Sequence, residues 1–153
     1  MMKAISWLAS VTVGVAALTS TGFAATPKGW STNLTSALAQ AKREKKVVLV
    51  EFTGSDWCPP CIAMRKNVFS QQEFLDKASK DFILVELDFP KGDRSIADAN
   101  KPLAEKYGID GFPTVLLLDA EGKEFTRFYA SEYPKTDLFL AHLSKSLENR
   151  KLD

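Results

Sequence analysis

The chain has 153 residues, the length of a single domain. A quarter of them are charged and 45 % are hydrophobic, the balance of a globular protein, while the formal net charge is only +1. With no block of like charge and no internal repeat, that balance gives no footing for nucleic acid or an anionic surface as a partner.

The N-terminus differs in character from the rest of the chain. One cation, Lys3, precedes a mildly apolar stretch from Ala4 to about Leu18, and small residues run on to Gly22-Phe23-Ala24-Ala25. This is the pattern of a secretory signal, expected to be residues 1–24. Cleavage after Ala24 places Gly22 and Ala24 at the small positions, whereas a cut one residue later would place bulky Phe23 at one of them. A retained membrane span fits less well, because a span needs about 20 mostly apolar residues and Ser6, Ser10, Thr12 and Gly14 dilute this run. Removal of residues 1–24 takes away one charged side chain, Lys3, and leaves residues 25–153 as one domain with no net charge. The expected location is periplasmic, or otherwise extracytoplasmic.

Residues 26–30 read as a short lead-in strand. Ser31 or Thr32 then caps a helix whose apolar face is Leu34, Ala37, Leu38 and Ala41, closed by the cationic "KREKK". "VVLVEFT" (47–53) is a continuous apolar run, the mark of a strand covered on both faces. Glu51 interrupts it, and a carboxylate there is costly without a partner or a job. Gly54 and Ser55 break the strand. "PPCIAMRKNVF" (59–69) opens with prolines suited to a first helical turn, and a break near Phe69 leads into another short helix.

"FILVELDF" (82–89) is a second buried strand, "PKGD" (90–93) a loop, and residues 95–107 a helix stopped by Gly108. "TVLLLD" (114–119) is a third strand. After the turn at 120–122, "KEFTRFY" (123–129) alternates like an antiparallel edge strand with one wet face. Residues from about 135 to 151 form a last helix. Helices alternating with buried strands predict an α/β fold with parallel pairs in a central sheet, covered on both sides and edged by the final hairpin.

The chemistry concentrates in "GSDWCPPC" (54–61), which holds both cysteines of the chain, Cys58 and Cys61. A structural disulfide framework would disperse several cysteines, so a single tight pair is a different pattern. Cys58 falls at a strand-to-helix junction, where unpaired amides and the helix dipole favour a thiolate. Three-residue spacing places both sulfurs on one side of the helix. Cys58 can attack a disulfide, and Cys61 can then resolve the mixed intermediate. A buried Glu51, its carboxyl raised by desolvation, would suit taking the Cys61 proton; the alternative is a carboxylate that escapes to solvent. Pro113, directly before a buried strand, is unusual because it cannot donate to the ladder. A cis bond would make it a tight turn at the strand's entry, but from spacing alone an ordinary trans proline in a loop is the expected reading.

Taken together, "VVLVEFTGSDWCPPC", "FILVELDF", "KYGIDGFPTVLLLDAEGK" and the last helix resemble the thioredoxin family over residues 30–147, and "FTGSDWCPPC" is similar to exported bacterial thioredoxin-like proteins. The resemblance implies a three-layer α/β/α thioredoxin-like fold with a central mixed sheet, a C-terminal hairpin and a final helix. It also implies thiol–disulfide oxidoreductase activity on protein disulfides or thiols; reduction is the expected direction, with oxidation and isomerisation left open by the sequence. Cys58 matches the attacking cysteine, Cys61 the resolving one, Pro113 a cis-proline facing the disulfide, Phe112 the residue whose backbone pairs with substrate, and Trp57 the aromatic beside the site. Three departures stand out. Glu51 matches the family's buried acid only with one extra residue before Cys58. Glu86 falls where typical members carry a lysine, so the usual charge partner is missing. Pro59-Pro60 replaces the usual Gly-Pro.

A membrane thiol redox partner is implied by the same resemblance. No cofactor, metal or nucleic acid is expected, and the chain is expected to be a monomer. The only histidine, His142, falls on the last helix, where a packing or surface role is expected. The competing reading is a non-catalytic thioredoxin-fold binding module whose disulfide is structural.

Overall fold

The computed structural model describes residues 25–151. The expected signal at 1–24 lies outside the described residues. The elements run α1 (Leu34–Glu44), β1 (Val47–Thr53), α2 (Pro59–Met64), α3 (Gln72–Ala78), β2 (Phe82–Asp88), α4 (Arg94–Lys106), β3 (Thr114–Leu118), β4 (Glu124–Tyr129) and α5 (Thr136–Arg150). A π-helical turn, Arg65–Phe69, continues α2, and a short 3₁₀ turn, Ala130–Glu132, precedes α5. The expected elements are present to within a residue or so from α1 onward.

The strands order β2-β1-β3-β4 in one sheet. Only β1 and β2 are parallel; β3 runs antiparallel to β1, and β4 antiparallel to β3. The sheet is mixed as expected, with a single parallel pair. All seven residues of β1 are buried, which accounts for its unbroken apolar run. Strand alternation divides the core in two. Val47, Leu49, Leu84, Val115 and Leu117 face Met64, Val68, Phe69, Phe74, Phe139 and Leu143 on one side. Val48, Val50, Phe52, Val85, Leu87 and Leu116 face Leu34, Ala37, Ala41 and Tyr107 on the other. These are the three layers.

The first layer is aromatic. Phe74 lies 5.5 Å from Phe69 and 5.7 Å from Phe139, ring centre to ring centre, and stacks on Trp30 at 6.1 Å. The Trp30 indole donates to the Phe69 carbonyl. Each such buried ring contributes roughly 1.5–3 kcal/mol over an exposed one. His142 stacks on Tyr133 and packs edge-on to Phe128, the packing role expected of it.

Two local expectations are corrected. Residues 26–30 form no strand. The strand contact is a one-residue bridge at Ser31, whose amide donates to Leu84 O and whose carbonyl accepts from Glu86 N, covering the outer edge of β2. With Ser31 so engaged, the α1 cap passes to Asn33, whose side chain accepts from the Ser36 amide at 2.9 Å.

Candidate active site

The chain leaves β1 through a tight turn in which the amides of Trp57 and Cys58 both donate to the Gly54 carbonyl. Cys58 is the N-cap of α2, with extended backbone, and Pro59 and Pro60 occupy the first two helical positions. Cys58 and Cys61 form a disulfide with their Cα atoms 5.2 Å apart. Cys58 retains 4 % of its surface and Cys61 1 %, so the disulfide is far less open than its outward position in sequence suggests, and the part that meets solvent is mostly Cys58. The Gly54 amide points at Cys61 Sγ from 3.5 Å.

The two prolines matter for what the helix end can offer. An N-cap side chain normally accepts from amides two and three residues on. Position 60 has no N–H, nor has 59, and the Cys58 amide is committed to Gly54. Only the Cys61 amide is left to face a Cys58 thiolate from the first turn.

Asp88 and Asp56 clamp the turn to the end of β2. Asp88 accepts from the Ser55 amide at 2.9 Å and from the Ser55 hydroxyl. Asp56 accepts from the amides of Lys91 and Gly92, and those bonds hold its carboxyl below the usual aspartate range. The Trp57 indole donates to Phe89 O at 2.8 Å, and the Lys91 ammonium lies 4.7 Å from its ring centre. Trp57 is 38 % exposed and meets Phe112 edge-on at 6.0 Å; Phe112 in turn stacks on Phe89 at 5.1 Å. This contact sets the Phe112–Pro113 turn beside the cysteine turn. The Phe112–Pro113 bond is cis, as the resemblance implies and against the trans bond that spacing alone favours. The structure thus gathers Trp57, Cys58, Cys61, Phe112 and Pro113 at one end of the sheet. Sequence reasoning missed Ser55, Asp56, Asp88, Phe89 and Lys91. Short polar residues flanking "WCPPC" and closing "ELDFPKGD" were the available signal, since such side chains satisfy turn amides.

Glu51 does not escape to solvent. It is 2 % exposed and shares the face of Val47 and Leu49, toward the layer containing α2. Its position is fixed by sheet register, opposite Val115 and Glu86, and the extra residue before Cys58 is absorbed in the turn at Gly54. Its Oε1 has no hydrogen-bond partner among the described residues. Burial, then the Glu86 charge beside it, push its carboxyl well above the usual range, against the pull of Arg65. Glu86, 1 % exposed, is raised by burial and held back by an ion pair with Arg65 from the π turn. The usual cation on β2 is indeed absent, its place taken by a second acid, and a cation comes instead from the helix layer, where Arg65 pairs with Glu86.

Comparison with known proteins agrees with this geometry. Residues 34–145 match the family described as Thioredoxin-like domain. The disulfide bond reductase DsbH of Chlamydia pneumoniae is 36 % identical over 94 residues, covering 60 % of this chain and 57 % of that protein. The thiol:disulfide interchange protein DsbD of Vibrio cholerae is 30 % identical over 112 residues, 73 % of this chain but 18 % of that protein. The chain thus spans little more than half of the first relative and a fifth or less of the second. A solved structure titled DsbH Oxidoreductase superposes with a TM-score of 0.72 at 29 % identity, covering 89 % of this chain and 95 % of that one.

Proposed function

The chain belongs to the thioredoxin-like domain family, and from that premise we propose that it is an extracytoplasmic thiol–disulfide oxidoreductase that reduces protein disulfides through Cys58 and Cys61. The observation that carries this is the disulfide closed across the first turn of α2, rimmed by Trp57 and Phe112 beside a cis Pro113. A bridge closing so short a loop contributes little to stability, which argues against a merely structural role.

In the reductive direction the Cys58 thiolate attacks one sulfur of a substrate disulfide, and the other sulfur leaves as a thiolate. Cys61 gives its proton to the Glu51 carboxylate and attacks Cys58 Sγ, expelling the second substrate sulfur. Two electrons pass to substrate and the Cys58–Cys61 disulfide remains. Glu51 is then protonated, consistent with its raised carboxyl in this oxidised form. It returns the proton to Cys61 when a thiol donor reopens the bridge. Trp57, Phe112 and Pro113 form the surface that meets the substrate chain.

The reductive direction rests on the Pro59-Pro60 pair. With so few amides to stabilise the Cys58 thiolate, the dithiol form gains little and the disulfide form is favoured, which makes the couple a better reductant. Cleavage of residues 1–24 would deliver the remaining domain, 25–153, to the periplasm, where a membrane thiol protein supplies electrons.

Insulin reduction by the dithiol form tests the activity. Turnover is expected, lost in Cys58→Ser, and a Cys61→Ser variant should hold a mixed disulfide with substrate on Cys58. No turnover and nothing trapped would leave a non-catalytic binding module.

A further inference from the structure

The face that carries Glu51 is unusually acidic for a protein interior. Glu51 and Glu86 are register partners on the two parallel strands, so their side chains leave the same face at the strand spacing of about 4.8 Å. Asp88 lies two residues beyond Glu86 on that face and is turned to Ser55. β3 contributes only apolar Val115 opposite Glu51. From the helix layer comes Arg65, which spends one nitrogen on Glu86 and another on the Ala25 carbonyl at 3.1 Å. Thr26 hydrogen-bonds Glu86 from the same N-terminal segment. Glu86 and Asp88 also line an open cleft of about 430 Å³ with Thr26, Ser95 and Asn100. Glu51 does not reach it. One oxygen of Glu51 has no partner among the described residues.

We propose, resting on the oxidoreductase reading above, that Glu86 and Arg65 are positioning residues for Glu51: their pair sets the charge beside the Glu51 carboxyl, and with it the pH range in which that carboxyl can take and hold the Cys61 proton. Arg65, paired with Glu86, works against the burial that favours its protonated form. If Arg65 were lost, two buried carboxyls would compete for ionisation and both would hold their protons to higher pH.

The test reads Glu51 directly, by carbon-13 NMR of its side-chain carboxyl in the oxidised protein across pH, beside the pH profile of mixed-disulfide resolution in a single turnover. In Glu86→Gln a like charge goes and Arg65 is left facing Glu51, so the Glu51 midpoint should fall by about one pH unit or more. In Arg65→Met it should rise, and Arg65→Lys should restore it toward the parent. The double variant Glu86→Gln/Arg65→Met removes both charges without stranding either, and gives an intermediate midpoint if the single Arg65→Met fails to fold. The resolution profile should shift with the midpoint in each case. Midpoints that stay in place overturn the proposal, as does a resolution profile that ignores midpoints that move. If the parent protein reduced no disulfide at all, the oxidoreductase reading would fall, while the NMR midpoints would still decide whether Glu86 and Arg65 control Glu51.

Discussion

Substituting Pro60 by alanine tests how α2 treats the Cys58 sulfur. Pro60 stands at the second helical position, whose amide an N-cap side chain ordinarily accepts, and alanine restores that N–H with the best helix former. A hydrogen bond to a charged partner nets about 1.5–3 kcal/mol, or roughly 1–2 pKa units at 1.36 kcal/mol per unit. The turn lies near the surface, where water competes, so the low end applies and the thiol titration of reduced Cys58 should fall by about one unit. Stabilising the thiolate by about 1.4 kcal/mol stabilises the reduced protein equally above its titration range, which raises the potential of the couple by about 30 mV. At lower pH the gain shrinks, because the thiol is then protonated in both proteins.

The assay is thiolate absorbance against pH in the reduced protein, with equilibration of the couple against glutathione, on parent and variant together. Pro59→Ala is the internal comparison. It restores the amide at the first helical position, which does not face the N-cap side chain, and should produce the smaller shift. Equal shifts in the two variants, or none in Pro60→Ala, would refute the reasoning that missing amides set the poise. The substitution also frees the unfolded chain at a cost of about 0.4–1 kcal/mol, too little to confuse the readout.

The packing yields further expectations. A Cβ at Gly54 would lie 2.6–2.8 Å from three atoms of the Trp57 ring, so Gly54→Ala should displace the indole from the Phe89 carbonyl, lowering stability by about 1–3 kcal/mol and altering tryptophan emission; an unchanged melting temperature and spectrum would contradict this. Phe74→Ala empties the centre of the aromatic layer and should cost about 3–5 kcal/mol by urea unfolding. Glu51→Leu should stabilise the oxidised protein and slow resolution. The sign is set by the raised carboxyl: its contribution is fully present below the unfolded value, about 4.3, and is lost as pH rises through the folded one. The stability difference between variant and parent should therefore grow from about pH 4.3 upward and level off above the folded value. Parallel stability profiles in urea would show that Glu51 is not the buried acid described here.

What could be read from the chain was local. The apolar runs at 47–53 and 82–88, the helical periodicity of 34–44 and the prolines opening α2 each carry their cause within a few residues, and each element formed near where it was expected. The cysteine turn was legible for the same reason. Strand direction was less so: β3 lies antiparallel against β1 because the chain after α4 re-enters from the end of the sheet that carries the cysteines, a fact about the path and not the pattern. The cap of α1 moved to Asn33 because a distant strand edge claimed Ser31. Aligning Glu51 by counting back from Cys58 left its place uncertain, whereas its register with Val115 and Glu86 places it without reference to the turn.

The charge around Glu51 shows why such a site resists reading by position. The resemblance leads one to look for a cation on β2, and that position holds Glu86. Arg65, 21 residues earlier, brings the cation to the same place from the other side of the layer. Burial makes each isolated charge costly, so what must balance is the sum over the pocket, whichever elements supply it. Two carboxyls and one guanidinium favour holding a proton in this pocket, and the oxygen of Glu51 that has no partner among the described residues is a place to hold it. A lysine on β2 facing a single acid would hold that acid ionised. An acid on β2, paired with Arg65 from the helix, leaves Glu51 with its carboxyl raised, which is what the resolving step proposed above would ask of it.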